Sequence, residues 1–166
     1  MTHGDTIGAL MVEAARENGY LDGPIAVIPE LAELEKQLFI RMMRELQKYL
    51  ERNERQSLEQ SEVESMFTFV LAKAGEMVAL HLSNSKQDEE LSLDGLFDGK
   101  IPMYADDTLL GFCKRCRWPS VAGTLFWNER IKQADPLLAL FEALKWCFRI
   151  SEHLVILELE RRKKQR

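Results

Sequence analysis

Residues 66–82, MFTFVLAKAGEMVALHL, contain only three ionisable side chains, Lys73, Glu76 and His81. Wound into a helix, the apolar residues of this stretch fall on nearly every side, and a helix without a wet face has to be enclosed by others. The segment therefore predicts the central helix of a bundle. Ser61-Glu62-Val63-Glu64 just before it has the form of a capping box, in which hydroxyl and carboxylate each satisfy an orphan N–H. The central helix is expected over about 61–82.

The flanking sequence supplies helices to enclose it. Ile7, Leu10, Met11, Ala14 and Ala15 recur at helical spacing, and Gly19 sits where a left-handed cap ends a first short helix. A turn and connector follow to Pro29, where Pro29-Glu30 opens a long helix to about residue 52. Leu31, Leu34, Leu38, Phe39, Met42, Met43, Leu46, Tyr49 and Leu50 form its apolar stripe. Two short helices are expected at about 109–118 and from about Ser120. Asp135-Pro136, a capping carboxylate followed by proline at the first helical position, starts a last long helix. No stretch alternates as a strand does. The expected fold is all-α: a single up-down bundle of about five to six helices over 1–166, with two or three long central ones.

Residues 84–107 differ in kind. Lys86 and Lys100 face Asp88, Glu89, Glu90, Asp94, Asp98, Asp106 and Asp107, with Gly95, Gly99 and Pro102 as punctuation. The segment is expected to be an acidic, irregular connection pinned to the core by Leu91, Leu93, Leu96 and Phe97.

Charge and cysteine content narrow the function. A net charge of −5 disfavours nucleic-acid binding, and the basic run at 161–166 is expected to complement a helix dipole. The longest uncharged stretch, 118–128, is about half of the ~20 residues that span a membrane. Three cysteines do not make a disulfide framework, and the first residues lack a basic segment followed by an apolar core. A cytoplasmic protein is expected.

Several chemical constellations can be weighed residue by residue. Cys113-Lys-Arg-Cys116 has the spacing of half a zinc site, with Cys147 and His153 as the other candidates. Six residues apart on one helix, those two point about 240° round the axis from each other, so no metal is expected. Glu30-x-x-Glu33 and Glu59-x-x-Glu62 resemble the acidic pairs with which all-α nucleotide pyrophosphohydrolases of the MazG type hold magnesium. That family has Asp where Glu62 stands. Both pairs also open their helices, which sets them roughly 30 Å apart across an antiparallel hairpin. Arg149-Ile-Ser-Glu-His153 resembles the Arg-x4–6-His signature of the HEPN class of helical ribonucleases, with only three residues between the two. No cofactor motif is present.

The expected function is therefore non-enzymatic: a helical bundle that acts through protein–protein contact and self-associates, most simply as a dimer. The last helix motivates this. Leu137, Phe141, Leu144, Phe148 and Val155 suffice to dock it on its own bundle. Ala139, Ala143, Trp146, Ile150, His153 and Leu157 form a second seam at coiled-coil spacing, available to another subunit or to helices of the same chain. The alternatives are a divergent all-α hydrolase and a bundle that binds a small molecule around His81, the one titratable group centred on an apolar face of the third helix.

Overall fold

The structure, a computed structural model, describes residues 3–26, 28–82, 92–93, 95–98, 116–129 and 136–164. Its regular elements are α1 (His3–Glu17), a 3-10 turn (Pro29–Leu31), α2 (Ala32–Arg52), α3 (Gln60–Leu82), α4 (Trp118–Glu129) and α5 (Pro136–Lys164). Among the described residues there is no strand, and the five α-helices pack together as an all-α bundle. No described helix is long and apolar enough to cross a membrane. Residues 109–115 of the short helix expected at about 109–118, and most of the acidic connection, lie outside the described residues.

The central helix is where its composition puts it. Every residue of α3 from Phe69 to Val70, Leu71, Ala72, Lys73, Ala74 and Gly75 is buried, almost two full turns without an exposed side. α5 and α4 supply most of the cover, and α1 lies against α5. Lys73 is buried with the rest. Its ammonium bonds Glu76 at 3.2 Å and lies 5.2 Å from the centre of the Phe69 ring, so the charge keeps an anionic and an aromatic partner. The large side chains of α2 reach α5 directly: Phe39 sets its ring edge-on to Phe141 at 5.6 Å and to Phe148 at 5.7 Å.

Helix ends follow local chemistry. Gly19, at φ +80°, closes α1 in a Schellman motif, with Tyr20 N–H donating to the Ala15 carbonyl and Gly19 N–H to Arg16. The same pair of bonds ends α2, where Arg55 N–H reaches Leu50 and Glu54 N–H reaches Glu51. There the left-handed residue is Glu54, at φ +52°, a conformation that costs a side chain of this kind about 1 kcal/mol. At the start of α3 the cap is displaced from Ser61. Glu59 precedes the helix, and the Glu62 carboxylate accepts the Glu59 N–H at 2.8 Å. α4 begins at Trp118, two residues before the expected Ser120, and takes Pro119 into its first turn, where a missing N–H does no harm. In the acidic connection, Leu96 is buried, and Leu93 and Phe97 pack on the core.

Phe67, fully buried on α3, tests the enclosure. Phe67→Asp puts an unpaired carboxylate there at a cost of several kcal/mol, against a typical stability of about 5–15 kcal/mol. Loss of the cooperative melting transition in circular dichroism is the expected outcome. An unchanged melting curve contradicts the central placement.

Candidate functional site

The second seam of α5 is mostly covered by the chain itself. Ala139, Ala143 and Ile150 are buried, and His153 is only 7% exposed. Ala139, Ala143 and Ile150, expected as interface residues, are thus buried within the single chain. α1 lies along α5 with Gly8 against Trp146, and the connector between α1 and α2 reaches His153. Trp146 stays half-buried and Leu157 is 45% exposed. These two are eleven positions apart, which returns to the same helix face within about 20°.

Trp146 is the floor of an open groove. The indole passes so close to Gly8 of α1 that a Cβ there would sit 2.5 Å from the ring, so only glycine admits this approach. Ala9, Val12, Glu13, Arg16 and Glu17 complete the walls, and the space enclosed is about 620 Å³. The Arg149 guanidinium lies over the indole, 4.8 Å from the ring centre. The groove thus has an apolar floor, and both signs of charge stand along its rim.

A second cluster is buried. Glu152 is 1% exposed and its carboxylate accepts the backbone N–H of Ile28. The next residue, His153, accepts the Ala26 N–H on Nδ1 at 2.9 Å. Adjacent side chains of α5 therefore fasten two backbone amides of the connector. Glu35, from the first turns of α2, contacts Glu152 carboxyl to carboxyl. Burial and the Glu35 charge push Glu152 up to about 8, and burial raises Glu35 as well. The charges of Arg149 and Lys145 pull Glu35 the other way. Burial lowers His153, against a smaller opposing effect of Glu160.

A third network ties the end of α2 to the start of α3. Arg55 grips Glu62 with both terminal nitrogens, one at 2.9 Å, and the Tyr49 hydroxyl donates to the same carboxylate. Tyr49 in turn stacks on Phe97, 4.1 Å between ring centres. The Arg55 bonds, aided by the Glu59 N–H and Tyr49, hold Glu62 at about 2. Its oxygens are taken by these donors, whereas Glu30, Glu33 and Glu59 are exposed.

The remaining expected residues are dispersed. His81 sits half-buried in the last turn of α3. Arg149 lies on Trp146 while His153 holds the connector, so each has a partner of its own. Cys113 lies outside the described residues. Cys116 and Cys147 are free thiols. Burial pushes Cys147 far up, which suits a packed thiol and not a metal-binding thiolate. Among the described residues no three acidic, cysteine or histidine side chains gather as a metal site. Sequence reading missed the Glu35–Glu152 contact. A signal was present: Glu152 stands four residues after Phe148 and three before Val155, inside the apolar stripe of the last helix.

Two outcomes follow from this geometry. Gly8→Ala drives a methyl into the Trp146 ring and is expected to destabilise the fold by about 1–3 kcal/mol, measured by urea denaturation. An unchanged midpoint contradicts the close approach. Glu62 ionises below its ordinary 4.5, so its contribution is complete above that pH and is lost as pH falls towards about 2. Wild-type melting temperature should drop over this window, and Glu62→Gln should show a smaller drop. Equal acid sensitivity of the two proteins would contradict the assignment.

Comparison with family models, with curated proteins and with solved structures finds no match for this chain.

Proposed function

We propose that the protein acts through protein–protein contact, and that the contact is self-association of two copies across the α1–α5 groove. The partly exposed Trp146 on the groove floor carries this reading. Tryptophan is enriched among residues that dominate interface energetics, and Gly8, Ala9 and Val12 around it are small or apolar enough for a close approach. The rim argues for a second copy as the occupant. Glu13, Glu17 and Arg16 alternate along one face of α1, and a two-fold axis through the groove would set Arg16 of each copy against the acids of the other. Exposed Leu157, on the face of α5 that carries Trp146, would extend the apolar contact. We place this association in the cytoplasm, a setting in keeping with the free thiols of Cys116 and Cys147.

Ala9 gives a clean test, because it is exposed and lines the groove. Ala9→Arg fills the groove and pairs with Glu13 one turn on, leaving α1 intact. In sedimentation velocity at micromolar concentration the wild type is expected to be a dimer and Ala9→Arg a monomer of unchanged helicity. A monomeric wild type, or a dimer that survives the substitution, overturns the proposal.

A further inference from the structure

The contact between Glu35 and Glu152 has a physical requirement that the other described residues do not meet. Oε1 of Glu152 is buried and has no hydrogen-bond donor from the described residues. With Glu152 buried and Glu35 partly so, two carboxylates in contact do not both remain ionised, since like charges repel strongly where burial weakens the screening by water. One proton answers both difficulties. A neutral carboxyl presents an O–H to its neighbour, and the orphaned oxygen becomes one end of that bond.

We propose that Glu35 and Glu152 share a single proton, and that this proton is the catch fastening the connector and the head of α2 onto α5, so that base releases the connector. The surroundings are arranged for one charge on the pair. Arg149 and Lys145 of α5 and the Ile28 N–H of the connector stabilise a single negative charge. His153 adds none while its Nδ1 accepts from Ala26, and burial favours its neutral form. When the shared proton leaves, two carboxylates face each other across the junction of α2 and α5. The Ile28 N–H is then held by a group that gains by moving apart from its neighbour. Ala26, fastened two residues away, is loosened with it.

The direction with pH follows from the burial. Glu152 keeps its proton to about 8 in the folded chain, against an ordinary 4.5. The folded state thus binds the proton more tightly than the unfolded one. The stabilisation is complete below 4.5 and is lost as pH rises through about 8.

Hydrogen exchange at the Ala26 and Ile28 amides reads the catch directly, with rates corrected for the intrinsic base catalysis of exchange. In the wild type, protection is expected to hold from pH 6 to 7.5 and then to fall by up to about tenfold per pH unit towards pH 9.5. Glu152→Gln keeps an acceptor for Ile28 and supplies a permanent donor towards Glu35, so its protection should be flat across the range. Glu35→Gln donates to Glu152 in the same way and should also be flat, which keeps the test available if either variant folds poorly. Carboxyl-resolved NMR titration of the wild type should show one glutamate titrating near pH 8, absent in Glu152→Gln. Flat wild-type protection to pH 9.5, an undiminished fall in both variants, or two ionised carboxylates at pH 6 would each overturn the proposal.

Discussion

A helix with almost two turns of wholly buried residues imposes its needs on every neighbour. α3 has no side to offer to water between Phe69 and Gly75, so other helices must surround it. α5 and α4 lie against it over the greatest extent, and α1 packs onto α5. Even Lys73 obeys: its ammonium is carried into the interior and met there by Glu76 and the Phe69 ring. The bundle keeps this part of α3 dry, and two polar clusters lie at its margins.

Those margins show how polar groups are treated when apolar packing has already been decided. Glu62 is nearly buried, yet it meets two nitrogens of Arg55, a backbone amide and a tyrosine hydroxyl, so it stays charged. Glu152 is buried more deeply and meets one backbone amide and another acid. It is driven towards the neutral form. The two carboxyls differ in depth and in neighbours, and those differences move one to about 2 and the other to about 8.

The sequence made the helices legible because their ends are written locally. Gly19, Pro29 and Pro136 each mark a boundary found in the structure, and the scarcity of charge over 66–82 identifies the enclosed helix. The start of α3 was harder, since Ser61 and Glu59 both have a suitable partner three residues on. The long-range grip of Arg55 on Glu62 selects the latter. Periodicity on α5 correctly grouped Ala139, Ala143, Trp146 and Ile150 on one face, but spacing does not say whose atoms cover a face. In the folded chain Ala139, Ala143 and Ile150 are buried, while Trp146 and Leu157 stay partly open. Glu35 and Glu152 are far apart in sequence, and only the folded chain brings them into contact.

The order of the helices along the chain has its own consequence. α5 is the principal neighbour of α3 but follows it by roughly fifty residues, and closing a loop of that length costs about 3.5 kcal/mol of chain entropy. During synthesis α3 emerges well before the element that shields it. Until α5 arrives, the nascent chain carries an apolar rod with an uncovered flank, the kind of surface that chaperones retain and aggregates recruit. A chain broken off within α5 would hold α1 to α4 in place of a smaller bundle only by leaving that flank wet. The cooperativity of the bundle is therefore settled at α5.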